Sequence, residues 1–334
     1  MKRILNKTII LAIGLMLVGG AAFGITFGEI ESNFSQFSSD VAESLPYAST
    51  QGLTWSDARV RGFPHFGVGL SFGAITMPKD AFVNLANNLS ITLPSEITDS
   101  EIGVPFPAYS VDGRVGIPFL PIDIGAKLGL LTPEMSDSLG GDTSVDYMLA
   151  GFDVRTPILK GRLLIPAVTL SAGYNYLSGG VTSTVQGSGL GSTIDLNSVI
   201  AGASVTTGDP DVRFAWKTHS LDFKVQASQN LLIFTPYLGG AYAYGWSQAG
   251  GGVSSDLTYN GATEDEVRDA LDAAGYNVEL SGNEFTVLSD ASGGSVRAFG
   301  GVSVNLLILK LDLNGQYNFT TQSLGGGINA RIQL

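Results

Sequence analysis

The stretch LKLDLNGQYNFTTQSLGGGINARIQL, residues 309–334, ends the chain and alternates between two kinds of side chain. In 309–319 the odd positions are apolar, aromatic or glycine, and the even positions are polar. In 322–334 the apolar residues occupy the even positions. Because successive side chains of a strand point to opposite faces, this period of two predicts two strands. We expect the second, 322–334, to close a barrel.

Eight earlier runs share this period: 65–76, 109–117, 122–130, 145–155, 168–177, 212–227, 233–247 and 296–306. With the last two they make ten strands, each near or above the ~9–11 residues of a tilted membrane strand. The sequence therefore predicts an all-β fold, an antiparallel transmembrane β-barrel of about ten strands. Adding 253–259 and 283–289 gives an alternative of twelve.

Two of the runs do not keep one phase. In 145–155, Leu149 lies on the otherwise polar face, and 212–227 changes phase between Trp216 and Leu221. A β-bulge inserts one residue and exchanges the two faces of a strand. Either bulges in these two strands or the count of twelve strands would explain the changes of phase.

The connections alternate between long and short, which is typical of outer-membrane barrels with long extracellular loops and short periplasmic turns. An even number of strands also brings the first and last strands together antiparallel. The long connections are 77–108, 131–144, 178–211 and 248–295. An interfacial girdle of aromatic residues is expected at the extracellular end. Its members are Tyr109, Tyr147, Tyr174, Tyr176, Phe214, Trp216, Tyr242, Tyr244, Trp246, Tyr317 and Phe319.

Residues 1–24 have the features of a secretory signal peptide, because basic residues precede an apolar run and small residues follow it. No later run reaches the ~18 consecutive apolar residues that a membrane helix needs. The 334-residue chain has a net charge of −12 and no cysteine. The acidic balance argues against a nucleic-acid partner, and the absence of cysteine excludes disulfides and a lipid-modified cysteine anchor. The sequence predicts an exported chain.

Residues 25–64 differ from the rest of the chain. Phe27, Ile30, Phe34 and Val41 recur at steps of three and four, which predicts an amphipathic helix over 25–45 that ends at Pro46. This helix and the linker after it either plug the lumen or lie on the periplasmic side. The barrel itself is assigned to residues 65–334.

The connection 248–295 is predicted to be a structured extracellular insertion of αββ type. Thr263 and Glu266 have the spacing of a capping box that starts a helix. Two short strands, 276–280 and 284–288, are expected to follow as a hairpin. A second short helix is predicted at 79–89. The insertion either binds a ligand or shields the mouth of the barrel.

The polar face of the strands predicts the lining of the lumen. Its charged residues either set the selectivity of a pore or form paired charges that fill a narrow interior. A ten-stranded barrel is close to the eight-stranded size that side chains alone can fill. The lumen-lining candidates are Asp112, Arg114, Asp123, Lys127, Asp153, Arg155, Asp222, Lys224, Arg297, Lys310, Asp312 and Arg331.

The sequence predicts neither catalysis nor a cofactor or metal site. Its two histidines are His65 and His219. His65 is expected at the periplasmic end, and His219 and Ser220 are neighbours whose side chains point to opposite faces of a strand. Nucleophilic catalysis needs such groups within hydrogen-bond reach. We therefore do not expect an enzyme.

Over residues 65–334 the chain resembles bacterial outer-membrane β-barrel proteins. The aromatic strand ends and the alternating strand 324–334 carry this resemblance. Such proteins usually end in phenylalanine, which the barrel-assembly machinery reads, whereas this chain ends in Leu334. The glycine-rich composition is similar to that of uncharacterised spirochaete outer-membrane proteins. A fainter similarity is to long-chain fatty-acid transporters, which carry an N-terminal segment inside the barrel.

Together these features predict an outer-membrane barrel that is a porin-like passive channel or transporter for small solutes. The alternative is a closed structural or surface-binding barrel that acts through its extracellular loops. The expected partners are membrane lipid and the outer-membrane barrel-assembly machinery, with a small solute or hydrophobic ligand if the barrel transports one. The expected location is the cell outer membrane of a Gram-negative-type envelope.

Overall fold

Ten antiparallel strands close into a barrel, which confirms the predicted fold class. The structure, a computed structural model, describes residues 27–88, 100–133, 135, 143–162, 165–184, 193–197, 199–207, 211–254, 257–274, 278–281 and 284–334. The predicted signal peptide lies outside these residues. In chain order the elements are α1 (Phe27–Ser49), β1 (Phe66–Met77), α2 (Lys79–Asn88), β2 (Val104–Gly116), β3 (Asp123–Leu131), β4 (Thr143–Arg162), β5 (Ile165–Thr184), β6 (Thr193–Asp195), β7 (Ser204–Thr207), β8 (Asp211–Ser228), β9 (Phe234–Ser254), β10 (Leu257–Asn260), α3 (Glu264–Ala273), β11 (Val278–Ser281), β12 (Glu284–Leu306), β13 (Leu309–Asn318) and β14 (Ser323–Gln333).

The last strand closes the barrel. Residues 325–333 of β14 pair antiparallel with residues 67–75 of β1. The ring runs through β1 to β5, then β8, β9, β12, β13 and β14, and each of these strands has two paired neighbours. The prediction for the closing strand is therefore confirmed, and the ring of strands closes on itself.

The outward face of the barrel wall is apolar. In β13, Leu311 and Leu313 are exposed, whereas Asp312 between them is buried. A continuous apolar surface of this kind is unfavourable in water and suits the hydrocarbon of a bilayer. The members of this apolar belt include Val68, Leu70, Phe72, Val111, Val115, Leu128, Leu130, Phe152, Val154, Leu170, Phe223, Val225, Leu311, Leu313, Ile328 and Ile332.

The two ends of the barrel differ. The short connections 117–122, 229–233 and 307–308 lie at one end, which we call the turn end. The long connections lie at the other, the loop end. Five neighbouring strands, β4, β5, β8, β9 and β12, have 18 to 23 residues each, whereas the other five have 9 to 13. One side of the wall therefore rises higher at the loop end.

The predicted loop 248–295 is too long, and the twelve-strand alternative is wrong. Strands β9 and β12 stay paired up to Ser254 and Glu284, so residues 248–254 and 284–295 belong to the wall. Residues 257–260 instead join β6 and β7 in a separate three-stranded sheet. Glycine and serine dominate these wall extensions, so their side chains give little strand signal, and backbone pairing holds them.

The insertion at the loop end contains the predicted helix and hairpin. Thr263 and Glu266 form the capping box at the start of α3, and Val267 and Leu271 are buried. Both hydrogen bonds from Thr263 favour the charged carboxylate and lower the pKa of Glu266. Strand β11 pairs with the start of β12, as expected for the hairpin. The helix predicted at 79–89 is α2.

Helix α1 lies inside the barrel. Its Phe37 packs near the loop end against Phe82 of α2 and Phe214 of β8. The helix does not end at Pro46 as predicted but continues to Ser49, because packing against the wall at Gly245 outweighs the lost backbone hydrogen bond. None of the helices in the described ranges is long and apolar enough to cross a membrane.

The apolar belt predicts the response to a charge on the wall. Leu313→Arg places a cation at a position that is 59 % exposed on the outward face. We expect it to lower the free energy of unfolding from phosphatidylcholine vesicles by about 2–4 kcal/mol, the cost near a bilayer midplane. The aromatic rim is formed by the outward-facing Tyr242, Trp246, Tyr317 and Phe319. The control Gln248→Arg, on the loop-end side of this rim, should leave that free energy nearly unchanged. Equal effects of the two substitutions would contradict the belt.

Candidate functional site

The interior of the barrel is divided into two layers along its axis. The apolar layer lies toward the loop end and is built around α1. The polar layer lies toward the turn end and surrounds residues 50–61, which we call the threading segment. The buried side chains of the apolar layer include Phe37, Val41, Ala42, Leu45, Phe82, Tyr147, Leu149, Leu177, Phe214, Trp216 and Ala249.

Aromatic rings dominate the apolar layer. The centroid of Phe37 lies 5.2 Å from that of Phe82 and 5.0 Å from that of Phe214. Phe106 and Trp216 are in edge contact at 5.3 Å. These distances are those of packed aromatic pairs in a protein core.

The apolar layer explains the two strands whose phase was unclear. Leu149 in β4 and Trp216 in β8 point inward and are buried against α1, whereas Leu221 points outward to the belt. Pairing of β5 with β8 is regular across this change. Pairing of β4 with β5 is also regular over 145–155, so the explanation by bulges within these two runs is wrong. The inward face of the wall changes from apolar to polar along its height.

The polar layer contains the predicted lumen-lining residues. All of them point inward, eleven are buried and Lys310 is half-buried. The structure joins seven of these residues into one network of ion pairs. Its links are Arg114–Asp123 (2.6 Å), Arg114–Asp153 (2.6 Å), Arg155–Asp123 (2.7 Å), Lys224–Asp153 (3.3 Å), Lys224–Asp222 (3.6 Å) and Arg297–Asp222 (2.9 Å).

The remaining candidates lie outside this network. Arg331 and Asp312 form a separate ion pair, both fully buried. Lys310 donates a hydrogen bond to Asn305 at 2.7 Å. Asp112 and Lys127 form no ion pair among the described residues. Lys127 binds the N-terminal region, and Asp112 binds Trp55 of that region together with Ser71 and Asn329 of the wall.

Lys127 holds the end of α1. Its Nζ donates to the main-chain carbonyls of Ser49 at 2.7 Å and Gln51 at 2.5 Å. The last carbonyls of a helix have no partner within the helix and carry a partial negative charge. The ammonium group therefore satisfies acceptors that would otherwise be buried without a donor.

Other wall residues bind the backbone of the threading segment. Arg155 donates to the carbonyl of Asp57 at 2.9 Å. Gln226 donates to the carbonyls of Trp55 at 2.7 Å and Ser56 at 3.0 Å. An irregular segment in a buried position needs partners for its backbone groups, and the wall of the barrel supplies them.

Trp55 is the largest buried side chain of the threading segment, with 1 % of its surface exposed. Its Nε1 donates to Asp112 at 2.6 Å. The guanidinium carbons of Arg331 and Arg114 lie 4.7 Å and 5.6 Å from the ring centroid, within the range of cation–π contacts. The next residue, Ser56, donates its main-chain amide to Asp312 at 3.2 Å.

Glycines of the wall make room for the N-terminal region. A Cβ at Gly67 would lie 2.8 Å from the Trp55 ring, and one at Gly245 would lie 2.5 Å from Pro46. Side-chain carbons do not approach other atoms this closely, so a residue larger than glycine at either position would displace the N-terminal region. The inner surface of the barrel is thus complementary in shape to the chain that fills it.

A small polar cavity remains between the threading segment and the wall formed by β1, β2, β13 and β14. Gln51, Ser71, Ser110 and Asn314 are among the residues around it. Its volume of about 20 Å³ is room for about one water molecule. A solute larger than water does not fit in it.

The two histidines lie on different surfaces. His219 is on the outward face, where its Nδ1 is 2.5 Å from the hydroxyl of Tyr174. Ser220 points inward, and its Oγ is 2.7 Å from Oγ of Ser49. His65 lies near the turn end, with its Nε2 3.0 Å from Nε2 of Gln333. In the described part of the chain, no three His, Asp or Glu side chains are grouped to hold a metal ion.

The threading segment lies inside the barrel, which is one of the two positions predicted for the helix and linker of residues 25–64. Residues 51–64 have neither strand nor helix periodicity, so the pattern does not decide between the two positions. Trp55 is the one signal that could have pointed inward, because a lone tryptophan among polar residues needs a buried site with an acceptor for its N–H.

No family model and no curated protein matches the chain. Solved bacterial outer-membrane barrels are similar to it at low identity. The outer-membrane protease OmpT of Escherichia coli is 9 % identical over 81 % of this chain and 97 % of that chain, with a TM-score of 0.41. Neisserial surface protein A is 9 % identical over 81 % and 95 %, with a TM-score of 0.26. The toluene transporter TbuX of Ralstonia pickettii is 12 % identical over 92 % and 97 %, with a TM-score of 0.24.

The expected likeness to bacterial outer-membrane barrels is thus found, while the likeness to spirochaete proteins and fatty-acid transporters stays a prediction. At these identities and TM-scores no residue role passes from those proteins to this chain.

The burial of Trp55 predicts its contribution to stability. We expect Trp55→Ala to lower the free energy of unfolding by about 3–5 kcal/mol, the usual cost of removing a buried tryptophan side chain. Urea unfolding in vesicles, followed by heat-modifiable gel mobility, measures this change. The control is Trp246→Ala, whose side chain is 49 % exposed on the outward face. A loss no greater than that of the control would contradict the enclosed position of Trp55.

Proposed function

We propose that this chain is an outer-membrane β-barrel closed along its axis by its own N-terminal region, and that it acts through its loop-end surface. The observation that carries the proposal is the occupation of the polar layer by the threading segment. The wall charges that would attract a solute in an open pore are bound to each other or to this segment.

Lys127 supports closure most clearly. A lysine that lines an open pore would keep its ammonium group in water. Here the ammonium group is buried, and it binds two main-chain carbonyls of the N-terminal region. Removing the segment would leave this cation to be hydrated or to meet a solute. Asp112 would lose the hydrogen bond from Trp55 and keep those from Ser71 and Asn329.

The apolar layer supports closure independently. Hydrophobic constrictions exclude ions because a pore wall without polar groups does not replace their hydration shell. In this barrel the constriction is a packed core in which α1 contacts β1, β5, β8, β9 and β12. An ion that crossed the polar layer would still meet a barrier of aromatic and aliphatic side chains.

The loop end is the part of the molecule that remains available for recognition. The higher side of the wall, α3 and the sheet of β6, β7 and β10 all lie there. We assign the biological contact to this surface and assign no chemical reaction to the chain. Membrane lipid and the barrel-assembly machinery are the other partners that the proposal implies.

The competing function is a passive channel for small solutes. It requires α1 and the threading segment to leave the lumen, because the cavity beside them holds about one water molecule. The two functions therefore differ in the conductance of the intact chain.

Planar-bilayer recording separates the two functions. We expect the full chain to give no steady conductance and a chain lacking residues 27–61 to conduct, because both layers lose their filling. Heat-modifiable gel mobility establishes that the shortened barrel is folded. If it is not, Lys127→Ala combined with Trp55→Ala loosens the segment without deleting it and should give flickering conductance. Steady conductance of the full chain, equal to that of the variants, would overturn the proposal.

A further inference from the structure

The turns at the turn end have apolar tips that project from the barrel. Phe119 between β2 and β3, Leu232 between β8 and β9, and Leu307 between β12 and β13 are 105 %, 99 % and 98 % exposed. Their neighbours Leu120, Leu231 and Ile308 are also at least half exposed. Turns that face water are normally polar, so an apolar residue at all three tips requires an explanation.

The backbone makes these residues more unusual. Phe119, Leu232 and Leu307 have φ values of 64°, 54° and 55°, in the left-handed region. Glycine or asparagine adopts this conformation at lower cost, and both are the usual residues of two-residue hairpin turns. Each tip thus has a bulky apolar side chain at a position where the backbone conformation disfavours one and where it makes little contact within the chain.

The height of the wall places these tips at a bilayer boundary. Each turn tip lies ten residues along the chain from an aromatic residue of its strand. Leu307 is ten residues from Tyr317, which belongs to the aromatic rim with Phe319. Leu232 is likewise ten residues from Tyr242, and Phe119 is ten residues from Tyr109. Ten residues of a strand tilted by about 40° rise roughly 25 Å, which equals the height of the apolar band of membrane barrels. An apolar band of this height that starts at the aromatic rim therefore ends at the turn tips.

A basic groove lies beside these turns. It has a volume of about 480 Å³, and none of its lining residues is acidic. The four cations that line it are Arg59, Arg61, Lys160 and Arg162. Across the described ranges, none of these four forms an ion pair with a carboxylate. Four unpaired cations in one groove are unexpected in a chain of net charge −12.

We propose that the turn end is a lipid-binding face, with the apolar tips at the acyl boundary and the basic groove on the phosphates of anionic lipid headgroups. The apolar tips and the basic groove lie at the same end of the barrel, and they match the acyl chains and the phosphate of one lipid molecule. A lipid supplies acyl chains for Phe119, Leu232 and Leu307 and a phosphate for the cations. A water-soluble anion would leave the tips uncovered.

A protein partner at the turn end is the competing occupant. It would also cover the tips, but it would hold them in a packed interface and would not place them in acyl chains. The chain has no cysteine, so single cysteines report on one position each. The occupants can therefore be separated by measuring the depth of a label at the tips.

Spin labels on Leu232→Cys and Leu307→Cys, in vesicles of phosphatidylcholine with phosphatidylglycerol, test the position of the tips. We expect both labels to be more accessible to oxygen than to a water-soluble nickel complex, which is the signature of acyl chains. Lys217→Cys, exposed above the rim, is the control and should show the reverse. Labels at the tips that favour nickel, or that are shielded from both reagents because a second copy covers them, would overturn the proposal.

Native mass spectrometry tests the basic groove. We expect the full chain to retain phosphatidylglycerol at least tenfold better than phosphatidylcholine. Glutamine at all four groove cations should abolish that preference. Glutamine at Arg213 and Lys217, two cations of the loop end, is the matched control and should leave it unchanged. No preference in the full chain, or an equal loss in the control, would overturn the proposal. Neither result depends on whether the lumen conducts.

Discussion

An ionisable side chain inside a membrane barrel must be paired with an opposite charge, hydrated or uncharged, because the surrounding hydrocarbon supplies no polar partner. Seven charged residues of the polar layer, which come from β2, β3, β4, β8 and β12, pair with one another inside the barrel. Lys127 instead uses two main-chain carbonyls of the N-terminal region, and Asp112 uses the indole N–H of Trp55 together with Ser71 and Asn329 of the wall. The wall is therefore complete only when that region is in place, and the inward glycines beside Trp55 and Pro46 fit the same arrangement.

The N-terminal region in turn determines the shape of the rest of the molecule. Its helix is apolar toward the wall, so the wall around it is apolar inside, and aromatic residues that would mark a girdle are used as core instead. Tyr147, Phe214 and Trp216, predicted as part of the outward girdle, are buried inside. Tyr242 and Tyr317 do lie on the outward face, where the girdle was expected. The higher strands on one side of the barrel extend alongside α1 and give it a surface to pack on.

Strands whose side chains alternate cleanly between apolar and polar can be predicted from the sequence. Features that depend on contacts between residues far apart in the chain cannot. Strands β13 and β14 were readable because lipid lies on one face and charges lie on the other along their whole length. Leu149 and Trp216 were misread, since their alternation is broken by a helix that packs from inside. Trp55 itself indicates a buried site, but the partners of the segment have no local signal: Ser56 binds Asp312, 256 residues away in the chain. The wall extensions of β9 and β12 were missed because glycine and serine carry little strand propensity.

The contact between Ser49 of α1 and Ser220 of β8 tests whether the chain fills its own lumen. Their Oγ atoms are 2.7 Å apart inside the barrel. In a chain without other cysteines, Ser49→Cys with Ser220→Cys should form a disulfide in native membranes. Ser49→Cys with His219→Cys, one residue along on the outward face, should not. Two free thiols in the first pair, both reactive toward a water-soluble maleimide, would show an open lumen and contradict the account.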